Sequence, residues 1–445
     1  MKKHGKFQMK EVMLLVFAFT GLSDLGIEAA QAPAEIPRRS WDHFTFMRHN
    51  VIRHGPESLD TLNYTLVAAH VMARGFQLRD VRTAGMEIMG DALCVTGGKY
   101  YALRHGHTLI SVDMTGGGLR EIASNIAASA YESGRLYGLV RAEEDNLRLR
   151  IFDLPSEAYR EIGPLPRASP FIRGVAVSPD QKWFAYFGDD TQGERISGRN
   201  YPLYVVDLDT GIVRRVGQPI HFEEAAISSV AMGNPPFARL DERTILAIRT
   251  QPDQTRPNTM STLLSEAVNW ITAVDIQTGE QRDVARIPGM ARNIVPWLVP
   301  PAGNLPPILH ARQDYVVDVE GDRLVGFPSK GIQVGRFRLG RKAWLTPQSK
   351  WRAERIYHGD RLVWLGKDHE DLVISPDGKR VIWSERSEKL SCRIFYYDVE
   401  TEKVRAVSGD VSKSPRIWFT DEHVRPRERP AAIPRGFQKL PQDRL

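Results

Sequence analysis

LVISPDGKRVIWSE, residues 372–385, is the stretch that decides the fold. Leu372–Ser375 and Arg380–Ser384 are short apolar runs of strand-forming residues, and Pro376-Asp377-Gly378 between them is a turn. Pro presets φ near −65° and Gly accepts positive φ, so the pair forces a tight corner. After a polar loop comes a third run, Arg393–Asp398, then a turn at Glu400-Thr401-Glu402 and a fourth run, Lys403–Val407. Four short antiparallel strands joined by tight turns form a meander. One meander cannot bury both its faces, so the unit should recur.

It recurs at 175–217, where Ser178-Pro179-Asp180 supplies the first turn and Asp209-Thr210-Gly211 the last. The closing half of the unit, an apolar strand ending in Asp followed by a turn and a strand, is also found at 109–122, 149–162 and 271–284. A degenerate copy lies at 315–327. Asp113, Asp153, Asp207, Asp275 and Asp398 end the third strands, where a carboxylate can accept hydrogen bonds from the turn that follows. Six units are visible, seven if 330–366 is one more. Composition agrees: 36 Gly and 28 Pro in 445 residues suit many short strands, and 42% apolar residues suffice for a core. The expected fold is all-β, a β-propeller of six to seven four-stranded antiparallel blades over residues 86–424. Paired β-sandwiches also use many short strands, but they do not repeat one turn chemistry at one place in every unit.

Ser-Pro-Asp-Gly before a strand, with "FYYDVET" (395–401) and "YVVDLDTG" (204–211), resembles the propeller repeats of TolB-like periplasmic proteins. Similar repeats occur in prolyl oligopeptidase-like enzymes and in oligogalacturonate lyases. The resemblance covers roughly residues 86–410 and is specific for the repeat. It implies an exported WD-type propeller, with too few residues before the first unit for the α/β domain of TolB proper.

The N-terminus reads as a signal peptide over 1–32: four Lys, the apolar run 12–22, then Ala29, Ala30 and Ala32. Periplasmic or secreted localisation follows, with no transmembrane span after cleavage. Residues 33–85 read as an extension carrying a short helix, because Leu59, Leu62, Leu66, Ala69 and Met72 fall on one face at 3.6-residue spacing. "PRIWFTDEH" (415–423) reads as a strand able to close the ring against the first unit. Residues 425–445 read as a basic tail: from Lys413 onward there are eight Lys or Arg and four Asp or Glu, within a net charge of +6. Cys94 and Cys392 fall in the first and last units, where a bridge and two separate thiols both fit.

Several chemistries are absent. There is no Gly-x-Ser-x-Gly elbow, phosphate-binding Gly-Lys-Ser/Thr loop, Cys-x-x-Cys-His or His-Glu-x-x-His. No acid, base and nucleophile converge, so catalytic residues are not assigned and whether the protein is an enzyme stays open. In a meander blade the loop between strands two and three opens on one face, and the Pro-Asp-Gly corner on the other. Two such loops, 188–202 and 251–269, are long and belong to neighbouring units. Asp189, Asp190, Arg195, Arg199, Asn200 and Arg256 would line them, and Arg forks suit carboxylates. The expectation is a monomer binding a protein or an anionic carbohydrate there, not nucleic acid, and without a cofactor. The alternative, implied by the lyase resemblance, is a metal-dependent enzyme acting on acidic polysaccharide, with a divalent metal on His221, His310 and His369.

Overall fold

The computed structural model describes residues 43–52, 61–84, 90–104, 107–114, 118–141, 147–168, 174–189, 199–222, 237–251, 268–288, 297–299, 306–311, 314–326, 331–340, 344–345, 351–375, 377–386, 391–412, 417–420 and 436–439. The expected signal peptide lies outside them. The strands form eight antiparallel blades, not six or seven. Blades 2 to 6 are contiguous in sequence, at 90–123, 126–165, 175–222, 237–286 and 297–326. Blades 7 and 8 form one eight-stranded sheet, because the strand Arg361–Ile374 runs unbroken from the outer edge of blade 7 into the inner edge of blade 8. Blade 7 thus occupies 332–365, the poorly marked stretch of the sequence.

The eighth blade, blade 1, carries no copy of the repeated turn motif. Its outer three strands are His43–Ile52, Thr61–Met72 and Gly75–Ala84, and its innermost strand is Ile417–Thr420 from the far end of the chain. The closing strand pairs Phe44 with Phe419 and Phe46 with Ile417. Of the stretch 415–423 the described part, Ile417–Thr420, is a strand, and it completes a blade in the stretch read as a helical extension. No helix occurs among the described residues. Thr61–Met72 is a strand because both of its faces are covered. Leu66 packs with Tyr100 and Ile110 of blade 2, while the next residue, Val67, packs with Ile382 and Tyr396 of blade 8. A strand buried on both faces need not alternate apolar and polar residues, which lets a helical spacing arise by accident.

The same rule organises the whole core. Buried clusters lie between consecutive blades: Tyr101, Leu136 and Phe152 between blades 2 and 3, for example, and Phe187, Val205 and Phe237 between blades 4 and 5. Trp383, at 1% exposure, stacks on Phe395 at 5.7 Å and meets Trp364 of blade 7 at 6.0 Å. Cys94 in blade 2 and Cys392 in blade 8 are not joined by a disulfide, and blade 1 lies between their sheets.

The corner motif works through its serine. Ser375 Oγ accepts from Arg380 N–H at 2.9 Å, and Gly378, at φ +67°, donates its N–H to the Ser375 carbonyl at 2.8 Å. Pro376 lies outside the described residues. Blade 4 builds the same corner without Gly. Gln181 takes φ +57°, its N–H reaches the Ser178 carbonyl at 2.9 Å, and its side chain accepts from Tyr137 and Arg135 of blade 3. Those two bonds offset part of the left-handed strain, of order 1 kcal/mol.

The strand-ending aspartates act as expected. Oδ1 of Asp207 accepts from Thr210 N–H at 2.8 Å, Oδ1 of Asp275 from Gln277 N–H at 2.8 Å, and Oδ1 of Asp398 from Glu400 N–H at 2.7 Å. In several blades the other oxygen holds an arginine from the start of the second strand, as in Arg380–Asp398 and Arg243–Asp275. The Thr210 N–H and hydroxyl hold Asp207 below the usual carboxylate range, against a smaller effect of burial. For Asp275 burial pushes upward, and the N–H groups of Thr278 and Gln277 with Arg243 overcome it to hold the carboxyl low. A carboxylate depressed in the folded state stabilises the fold above its unfolded pKa, and that contribution is lost as pH falls through the folded value. The thermal midpoint is therefore expected to decline below about pH 4, the unfolded Asp value. In Asp207→Asn/Asp275→Asn that acid limb should flatten, as read by circular dichroism melts from pH 7 to pH 2.5. An unchanged limb would mean that other groups set the acid sensitivity.

Candidate functional site

The long-loop face receives little definition from the nominated residues. Asp190, Arg195 and Arg256 lie outside the described residues, and Arg199 is described only as backbone of the strand Arg199–Asp207. Asp189 is not an exposed loop-tip charge: it is 6% exposed, with its N–H on the Arg167 carbonyl at 3.0 Å. The bridge between Ala168 and Gly188 holds the base of the loop inward, and any Cβ at Gly188 would sit 2.2 Å from the Tyr204 ring.

Two residues nominated for different purposes do meet. Asn200 and His221 are cross-strand partners in blade 4, with Asn200 Oδ1 3.2 Å from His221 Nδ1. The other two histidines are on other sheets. His310 is buried in the second strand of blade 6, and His369 lies on the strand joining blades 7 and 8, its side chain outside the description. Among the described residues no three His, Cys, Asp or Glu side chains group in a way that could hold a metal. No helix among them is long and apolar enough to cross a membrane.

A cleft of about 1140 Å³ opens elsewhere, among blades 5, 6 and 7. It is lined by the turns that end strands one and three, so it opens on the same face as the corner motif. Its wall is apolar where Leu240, Pro307, Val319 and Ile332 converge, and it includes Val325, which is 40% exposed. Its rim is acidic: Asp241, Asp275, Glu280, Asp318 and Glu320 line it against one guanidinium, Arg282.

The rim charges divide into two groups. Asp241 accepts the N–H groups of Arg243 and Thr244, each at 2.7 Å, and Asp275 is paired with Arg243. Asp318 takes Arg323 at 2.8 Å, and the Gly321 N–H together with that arginine holds its carboxyl below the usual range. Arg282 is paired with Asp322 and donates to the Val319 carbonyl at 3.1 Å. Those groups build the turns. Glu280 and Glu320 are exposed, and among the described residues neither carboxylate has an ion-pair or hydrogen-bond partner. They leave a local negative potential on a chain of net charge +6.

Sequence reasoning missed this cleft, having assigned ligands to the opposite face. The available signal was charge: 275–283 and 318–322 carry Asp275, Glu280, Asp283, Asp318, Glu320 and Asp322 in a basic protein.

No protein-family profile matches the chain, and no curated protein sequence does. Solved structures that are similar include the β-propeller domain of the Trilobed protease from Pyrococcus furiosus, at 10% identity and TM-score 0.39, covering 82% of this chain and 98% of that one. An oligogalacturonate lyase from Vibrio parahaemolyticus aligns at 11% identity and TM-score 0.37, over 82% of this chain and 85% of its own. TolB from Acinetobacter baumannii aligns at 12% identity and TM-score 0.29, over 84% of this chain and 82% of its own. The sheet order and register of the chain itself establish an eight-bladed β-propeller.

Proposed function

We propose that this is an exported, non-catalytic propeller whose cleft among blades 5, 6 and 7 binds an extended partner segment carrying both apolar and basic side chains. The observation that carries the reading is the pairing of an apolar wall, with Val325 already exposed in it, and the Glu280 and Glu320 carboxylates at its rim. An apolar concavity with a few oriented charges is the usual form of a binding site. Opposite charge across an interface sets partner choice and encounter rate more than raw affinity. Export rests on the charged and apolar N-terminal run, and the TolB-like repeat chemistry is consistent with it.

The test is a positional peptide library presented to the purified protein. Retained sequences should be enriched in Lys or Arg beside apolar residues, and retention should weaken with salt. In Glu280→Gln/Glu320→Gln the affinity of the best peptide should fall about tenfold, or about 1.4 kcal/mol. Enrichment of acidic sequences, or an unchanged affinity in the double variant, would remove the cleft from consideration.

A further inference from the structure

The C-terminal stretch read as a basic tail contains a strand. Gln438–Lys439 pairs antiparallel with the outermost strand of blade 3, Ala158–Leu165, opposing Lys439 to Ala158 and Gln438 to Tyr159. Among the described strands, this is the one outer blade edge that another segment covers. Gly436, at φ +83°, turns the chain so that Phe437 sits between two guanidinium groups, Arg135 and Arg160, each 5.5 Å from the ring centroid. Phe437 also packs against the core layer between blades 3 and 4, and Tyr159 Oη donates to Gln438 Oε1 at 3.1 Å.

This has the features of a peptide-recognition site: a strand edge that takes main-chain pairing from a separate segment and a specific seat for one aromatic side chain. Its present occupant suits it poorly in charge. The ring seat is made of two arginines, Arg135 paired with Asp153 at 2.9 Å and Arg160 donating to the Leu208 carbonyl. Arg160 thus has no carboxylate partner among the described residues, while the segment adds the further cation Lys439. Among the described residues two pair with the edge, a short main-chain hold.

We propose that the outer edge of blade 3 is a binding site for an extended partner peptide with an aromatic residue followed by acidic residues, and that Gly436–Lys439 occupies it as a weak, displaceable pseudoligand. The partner adds its strand to Ala158–Leu165, seats its ring between Arg135 and Arg160, and supplies the carboxylates that the tail lacks. This site is separate from the cleft and takes the opposite charge.

The experiment uses full-length protein and a fluorescein-labelled peptide, Ser-Gly-Phe-Glu-Glu-Ser, read by anisotropy. Phe437→Ala should raise affinity at least tenfold over the unmodified chain, because it removes the competitor and leaves the seat. Adding Arg160→Ala to Phe437→Ala should abolish the gain, and a peptide with Ala for Phe should not bind. Phe437 is at the rim, so thermal melts of Phe437→Ala should show an intact fold. Equal binding to the unmodified chain and to Phe437→Ala, no binding to either, or retention in Phe437→Ala/Arg160→Ala would overturn the proposal. So would a concentration-dependent dimer of the unmodified chain that Phe437→Ala dissolves, since the edge would then serve a second copy.

Discussion

Ile417→Asp is expected to abolish cooperative folding. Ile417 is 1% exposed and packs with Phe46, Val67, Ile382 and Tyr396 in the layer joining blades 8 and 1. Removing a buried aliphatic side chain costs about 2–5 kcal/mol, and an unpaired buried carboxylate adds several kcal/mol more. The sum rivals the whole stability of a domain, about 5–15 kcal/mol. Position makes the loss worse, because the strand Ile417–Thr420 is what holds the two ends of the chain together. With it displaced, the edge of His43–Ile52 is left unpaired, an open template for aggregation. Deleting residues 417–445 should behave alike. Val404→Asp, on the outermost strand of blade 8 at 46% exposure, should cost under about 0.5 kcal/mol. Urea unfolding followed by Trp fluorescence separates the cases. A cooperative transition for Ile417→Asp within about 2 kcal/mol of the parent would show that the ring does not depend on this closure.

Asp398→Ala should cost about 3 kcal/mol. Asp398 is 7% exposed and accepts three hydrogen bonds: Glu400 N–H at 2.7 Å, Arg380 Nε at 3.0 Å and Tyr396 Oη at 3.2 Å. Truncation takes one carboxylate from the largely enclosed Arg380 guanidinium, which keeps Asp377 at 3.3 Å, and strips the turn of its acceptor. Breaking a buried ion pair by removing one partner costs about 3–5 kcal/mol, and the residual exposure of Arg380 places this case at the lower end. Asp398→Asn keeps an acceptor for Glu400 N–H and loses only the charge, so about half the cost should return. Equal destabilisation by Ala and Asn would locate the effect in the ion pair alone. A loss below about 1 kcal/mol for Ala would show that the pair is replaced by water without penalty.

These two sites differ in how legible they are from sequence. Asp398, Asp207 and Asp275 could be singled out because their work is local: each carboxylate reaches N–H groups two or three residues onward. The arginine that answers Asp398 is 18 residues upstream, one hairpin away, and the repeat carries it at a regular place. Ile417 offers no such signal. Its importance comes from pairing with Phe46, across nearly the whole chain. The helix expected around Leu62–Met72 fails for the same reason, since neighbours from blades 2 and 8 bury both faces of the strand Thr61–Met72.

The candidate sites divide in the same way. Asn200 and His221 were legible as exposed polar residues at a loop base and a blade link, but their contact follows from the register of blade 4. The cleft needs three blades in place before Glu280 and Glu320 share one rim. The Phe437 seat needs Arg135 and Arg160 brought together on blade 3, far in sequence from the ring they flank.

By itself the sequence determined the repeating meander, the Ser-Pro-Asp-Gly corner and the aspartate turns, because those features are made by hydrogen bonds among residues a few positions apart. Only the tertiary structure decided that eight blades close the ring, that its first blade is built from both ends of the chain, and which face carries the cleft. Those outcomes depend on strand partners hundreds of residues apart, and no local pattern encodes which distant edge a strand will meet.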